Sequence, residues 1–185
     1  MRVISGRAKG QRLKRVPGET TRPIMDRVKE SLFNILGRSV PDSRWLDLFA
    51  GTGQVGIEAL SRGAVHVVFV DNARAAIRTI RENLKHTQLE RGATVRQMDA
   101  FAYLQRPPER PFDLIYVAPP QYHGIWRAVL TKLDGMTDVF LAEEGQIVVQ
   151  IDPKEWEPVP LKQFELIDQR RYGNTLLCFY SRIGL

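Results

Sequence analysis

Three aspartates stand around a glycine-rich turn in the first hundred residues, each at or near the end of an apolar run. In WLDLFAGTGQVGIEAL, Asp47 precedes Gly51 by four positions, and Gly51, Gly53 and Gly56 are spaced G-x-G-x-x-G. Glycines let a backbone bend tightly and approach a ligand, and the helix that follows opens with unpaired N–H groups. Asp71 ends the next apolar run, 20 residues after Gly51, where an acid can hold a ribose hydroxyl. Asp99 follows the third run, in RQMDAF, where its carboxylate can meet an adenine amino group while the Ala100 N–H meets the ring edge.

Two ligands satisfy this spacing, a nicotinamide or flavin dinucleotide and S-adenosylmethionine. Asp47 separates them: its charge can accept hydrogen bonds from an ammonium group, whereas a pyrophosphate there would be repelled. The amino-acid end of S-adenosylmethionine carries such an ammonium. Each acid taken alone also reads as a cap: Asp47 for the following turn, Asp71 for a helix beginning near Ala73, Asp99 for a short helix after it. Their joint placement at three successive strand ends favours a cationic ligand bearing adenosine.

A second stretch, YVAPPQYHG, ends the apolar run FDLIYV. Pro119 and Pro120 lack N–H donors and restrict the chain, so that a carbonyl can be aimed outward from a fixed position. Ala118, before the prolines, has no polar side chain. Gln121 supplies an amide acceptor, and Tyr122 or His123 supplies an aromatic face on which a base can stack. The plain alternative is a strand end closed by proline with no chemistry.

These residues need a scaffold to hold them. The chain has 185 residues with 43% hydrophobic content, which suits one α/β domain rather than two. Strands are expected at 44–49, 65–70, 94–98, 112–117 and 146–151. Helices fall between them, from the glycine turn to about 62, at 73–86, near 100–104 and at 124–133. Two β segments near 161–170 and 174–181, joined through Tyr172-Gly173-Asn174, form a terminal antiparallel hairpin. Alternation of this kind predicts a mostly parallel sheet covered on both faces. Ahead of it, Pro23 introduces a helix that Gly37 stops, and residues 1–20 read as an arm or small hairpin rather than a core element.

Charge is uneven along the chain. The formal net charge is +6, yet residues 1–44 hold 11 Lys/Arg against 4 Asp/Glu, and the remainder is close to balance. The arm alone carries Arg2, Arg7, Lys9, Arg12, Lys14 and Arg15, and the helix after it adds Arg27 and Lys29. Such residues contact phosphates with little sequence choice, although basic runs are also ordinary solvated surface. The single Cys178, in TLLCFY, cannot form an internal disulfide, and the scattered His66, His86 and His123 suggest no metal site. No signal-peptide core and no apolar run of the ~18 residues that span a bilayer is evident, so the expectation is a cytoplasmic protein.

The motifs together resemble the RsmD family, bacterial methyltransferases acting on guanine N2 in small-subunit ribosomal RNA. MRVISGRAKGQRL, TRPIMDRVKESLFNIL and LDLFAGTGQVGIEALSRGA followed by VVFVD carry the resemblance, which runs nearly end to end. It implies a class I methyltransferase (Rossmann-like) α/β fold with a mostly parallel seven-stranded sheet, an antiparallel C-terminal hairpin and a short basic N-terminal β extension. The arm is residues 1–22 and the methyltransferase domain 23–185. S-adenosylmethionine is the implied donor, and ribosomal RNA or an assembling small subunit the implied partner, with a monomer as the default state.

The resemblance also assigns sites. Asp47, Ala50, Gly51, Thr52 and Gly53 would line the methionine end, Asp71 and Asn72 the ribose, and Asp99 with Ala100 the adenine. Arg7, Lys9, Arg12 and Lys14, with Arg22, Asp26 and Arg27 of TRPIMDR, would face the RNA. The family's target-base motif is Asp or Asn, then Pro-Pro, then Tyr or Phe. Here Ala118 replaces the polar residue and Gln121 is inserted, so Ala118, Pro119, Pro120, Gln121 and Tyr122 form a variant in which main-chain carbonyls and Gln121 hold the amine and Tyr122 stacks on the flipped base. A dehydrogenase accounts only for the glycines and Asp71. A non-catalytic RNA-binding assembly factor accounts for all but the cofactor pocket, and a DNA adenine methyltransferase lacks room for a target-recognition segment.

Overall fold

The computed structural model describes residues 1–18 and 23–184. Arg22, assigned above to RNA contact, lies outside the described residues. Seven strands form a mixed sheet in the order β3-β2-β1-β4-β5-β7-β6, which bears out the expected sheet with its antiparallel C-terminal pair. They are β1 (Arg44–Leu48), β2 (His66–Asp71), β3 (Ala93–Gln97), β4 (Phe112–Val117), β5 (Leu141–Ile151), β6 (Phe164–Tyr172) and β7 (Thr175–Arg182). The helices are α1 (Asp26–Leu36), α2 (Gln54–Ser61), α3 (Arg74–Thr87), α4 (Ala100–Tyr103), α5 (Ile125–Asp134) and α6 (Thr137–Phe140). The chain divides into two compact units, Met1–Ala100 and Phe101–Leu185.

In the first unit β1, β2 and β3 pair in parallel. Trp45, Leu46, Asp47 and Leu48 are all buried, and since successive side chains point to opposite faces, both faces of β1 are covered. Gly56 explains how α2 comes down onto β2. A Cβ at that position would sit 2.3 Å from the Phe69 ring and 2.8 Å from Val67, so only the missing side chain lets the helix pack this closely. Gly56→Ala therefore destabilises the fold by about 1–3 kcal/mol through overpacking, despite alanine's better helix propensity. A lower thermal or urea midpoint in equilibrium unfolding will show it.

Two expectations are corrected here. The arm is not peripheral: Arg2 and Arg12 form an antiparallel bridge, and Val3, Ala8, Leu13 and Val16 are buried between exposed basic residues. Its backbone is clasped by polar groups of α2 and α3. Ile4 and Ser5 N–H donate to Glu58, Ala8 N–H donates to Ser61 Oγ, and Lys14 N–H donates to Asn83 Oδ1 at 2.7 Å. Nor is Lys29 available to RNA. It is fully buried, with Nζ 3.5 Å from Glu58 and donating to the Arg2 carbonyl and Gln54. Burial lowers its pKa, while the charges of Glu58 and Asp26 act the other way.

Boundaries differ where neighbours override local pattern. Helix α1 starts at Asp26 rather than at Pro23, with Met25 as its N-cap. Strand β5 begins at Leu141, five residues before the expected start, and α6 precedes it. Its register on β4 jumps from Phe112↔Leu141 to Leu114↔Gln146, so residues between them bulge out and break the alternation that marks a strand in sequence.

In the second unit β4 and β5 are parallel, and β5, β7 and β6 are antiparallel. Cys178 lies buried on β7, and burial pushes its thiol up to about 11. This is an inert core thiol.

Candidate active site

The glycine turn is locked onto β2. Ala50 N–H donates to the Val70 carbonyl at 3.0 Å, and Gly51 N–H donates to Asp71 Oδ2 at 2.9 Å. The other Asp71 oxygen accepts from Ala73 N–H at 2.9 Å, at the start of α3. The carboxylate thus ties the turn to the residue that opens the next helix, but Asp71 is not its N-cap: that position is Ala73, which has no side-chain cap. Phe49, Gly51 and Gly53 all adopt positive φ, of 61°, 58° and 76°. For Phe49, a bulky residue, this is strained backbone, of the kind that concentrates where a loop is shaped around a ligand. Thr52 is buried, and its carbonyl accepts from Asn83 Nδ2.

Asp47 sits behind this turn at 1% exposure. Its Oδ2 accepts from Gly56 N–H at 3.3 Å. Burial raises its pKa well above the ordinary carboxylate range, the Gly56 N–H opposes this, and the Asp71 charge adds to it. A buried acid left under-compensated in this way favours an incoming cation, and the residues therefore fit the ammonium of S-adenosylmethionine rather than an anion. Asn72 and Asp99 are exposed, and Ala100 is the buried first residue of α4. The structure thus brings Asp47, Ala50, Gly51, Thr52, Gly53 and Asp71 into one hydrogen-bonded arrangement within the first unit.

The strand end of β4 belongs to the second unit and is built differently. Ala118 is half-buried, Pro119 buried, and Pro120, Gln121, Tyr122 and His123 are exposed. Tyr122 is 63% exposed at a φ of 65°. Its hydroxyl donates to Asp152 Oδ2 at 2.6 Å, and its N–H donates to Glu155 Oε1 at 2.6 Å. Asp152 and Glu155 form a capping box on the single turn after β5, with Asp152 also accepting from Lys154 N–H. The Tyr122 hydroxyl holds the Asp152 carboxyl below its usual range, and Asp152 in turn raises the Tyr122 hydroxyl. Sequence reading missed Asp152 and Glu155. The only local sign was the D-P-K-E spacing, a helix-start signature with no hint of a partner 30 residues away.

The chain matches the family described as Conserved hypothetical protein 95 over residues 1–181. It is 41% identical to YlbH of Bacillus subtilis over the full length of both chains. Ribosomal RNA small subunit methyltransferase D of Escherichia coli is 30% identical across 98% of this chain and 90% of its own. The chain belongs to this RsmD family. A solved Escherichia coli member, yhhF, superposes with a TM-score of 0.85 at 30% identity, covering 98% of this chain and 97% of that one. Family membership and the sheet order agree on the class I methyltransferase fold that the sequence implied.

Among the RNA-facing candidates, Arg7, Lys9, Arg12, Lys14 and Arg27 are exposed. Asp26 is half-buried and accepts from Arg2 N–H at 3.4 Å, with the Arg2 side chain 3.7 Å away. Lys14 pairs with Glu82 at 2.8 Å.

Proposed function

We propose that this chain transfers a methyl group from S-adenosylmethionine to the exocyclic N2 amine of a guanine in small-subunit ribosomal RNA. The observation that carries the reading is the buried, under-compensated Asp47 behind a glycine turn that Asp71 locks, in a chain of this family. S-adenosylmethionine supplies an electrophilic methyl on a sulfonium, so that the methyl–sulfur bond breaks as the carbon–nitrogen bond forms and the amine loses a proton. The protein's part is binding and orientation, which supply most of the acceleration available to such a displacement.

In this reading Asp47 accepts from the ammonium, Ala50 to Gly53 approach the methionine end, Asp71 and Asn72 hold the ribose hydroxyls, and Asp99 and Ala100 meet the adenine. The Ala118 and Pro119 carbonyls, with the Gln121 amide oxygen, accept from the target amine, and Tyr122 stacks on the flipped base. One of the family's two acceptors is a side chain that Ala118 lacks. Losing one well-placed polar contact costs about 10²–10³ in rate by analogy with oxyanion-hole donors, which makes a slower enzyme rather than a dead one. The arm, residues 1–22, serves the RNA through Arg7, Lys9, Arg12 and Lys14, with Arg22, Asp26 and Arg27 beside it, and residues 23–185 form the catalytic domain.

The test supplies methyl-labelled S-adenosylmethionine with unmodified small ribosomal subunits and, separately, their naked RNA, then digests the product to nucleosides. Label in N2-methylguanosine is expected, and the arm that yields it identifies the substrate form. Label in another nucleoside, or none from either substrate despite measurable cofactor binding, overturns the assignment.

A further inference from the structure

Sequence arithmetic puts all the positive excess in the N-terminal segment, but the folded chain shows a second basic face. Helix α3 presents Arg74, Arg78, Arg81 and Lys85 at i, i+4, i+7 and i+11, all exposed, which is one stripe along the helix. At ~1.5 Å per residue the stripe runs for roughly 16 Å, several nucleotides of a phosphate backbone. Beside it an open groove of about 390 Å³ lies between these side chains and Gln97 at the end of β3. Like charges three and four residues apart repel, and a helix face shaped only for solvent does better by interleaving signs. The one acid of α3, Glu82, does not relieve the stripe freely, because Lys14 of the arm pairs with it at 2.8 Å.

That pair marks where the two basic surfaces meet. Asn83 of α3 clasps the Lys14 backbone from both sides, accepting from its N–H at 2.7 Å and donating to its carbonyl at 3.1 Å. Exposed Arg12 and Arg15 flank Lys14. We propose that the exposed face of α3, continuous with the arm through Lys14 and Asn83, is a phosphate-contacting track for the RNA that carries the target base. The inference rests on the RNA-methyltransferase reading and adds to it a footprint outside both the cofactor cradle and the β4 strand end. Its contacts are to backbone phosphate, so they give affinity and register, while base choice is left to the site.

The experiment compares wild type with Arg78→Gln/Arg81→Gln/Lys85→Gln and, as a control of equal charge change, Arg106→Gln/Arg170→Gln/Arg171→Gln. Binding to unmodified small-subunit ribosomal RNA is titrated at several salt concentrations, and S-adenosylmethionine affinity reports on the fold. Each lost phosphate contact removes about 0.7–0.9 from the slope of log K against log salt, so the α3 variant should lose about 2 from the slope and at least tenfold in affinity at low salt. Cofactor affinity and the control's slope stay at wild-type values. An unchanged slope in the α3 variant, or an equal fall in the control, sinks the track alone. Wild-type protein that fails to bind the RNA at all removes the RNA reading and the track together.

Discussion

Asp47→Asn will weaken S-adenosylmethionine binding by about 100-fold while raising the melting temperature of the cofactor-free protein. The two effects have one cause. Asp47 is buried with a raised pKa, so its charged form is poorly solvated until a cation arrives. Truncating one partner of a buried, hydrogen-bonded charge pair costs roughly 2–5 kcal/mol, and each 1.4 kcal/mol is tenfold in affinity. The sign of the stability change follows from linkage. A carboxyl whose folded pKa lies above its unfolded value of 3.8 contributes stability that is full below that pH and is lost as pH rises through the folded value. At neutral pH the native acid is therefore a liability that asparagine, nearly isosteric and neutral, removes. Each kcal/mol recovered raises the midpoint by about 2–4 °C in a chain of this size.

The same linkage predicts a proton signal. An ammonium beside Asp47 favours the carboxylate, so binding releases whatever proton the free carboxyl holds, and cofactor affinity falls as pH drops through the raised pKa. Calorimetry in two buffers of different ionisation enthalpy measures the release. Unaltered cofactor affinity in Asp47→Asn would remove this residue from the methionine end and reopen the choice of ligand.

Tyr122→Ala will lower kcat/KM for RNA methylation about 100-fold, with cofactor affinity unchanged. Stacking of a base on an aromatic ring contributes about 1–3 kcal/mol, the upper end of which is a factor of about 100 in rate. The ring is available for that role at 63% exposure, with its hydroxyl tied to Asp152 and its N–H, on a backbone at a φ of 65°, tied to Glu155. Tyr122→Phe separates stacking from tethering. It keeps the ring and the Glu155 bond but loses the hydroxyl bond to Asp152. Near wild-type rates in Tyr122→Phe mean that the ring acts by stacking. A loss equal to that of alanine means that Asp152 is the positioning residue and that its tether sets the loop. Full activity in Tyr122→Ala would reduce the strand end to a structural closure.

Legibility followed the range of the interaction. The glycine turn was readable because Gly51 and Gly53 answer a local demand for positive φ and Gly56 a demand for space over Phe69. The alternating strands were readable because buried parallel strands are continuous apolar runs, as VVFV between His66 and Asp71 is. The early start of β5 was hidden because a bulge disrupts the period on which strand reading depends. Lys29 looked like surface because a single sequence carries no mark of the Glu58 that accompanies it into the core.

The site divides along the same line. Residue types and spacing determined the turn proposed to hold the cofactor, since Asp47, the glycines and Asp71 meet at one turn and two adjacent strand ends. Tertiary structure alone decided that Tyr122 is held by Asp152, that the arm is anchored in the core, and that α3 joins it through Lys14 and Asn83. Each of these is a bond between residues 30 to 69 positions apart, and only closure of the chain brings such groups within reach.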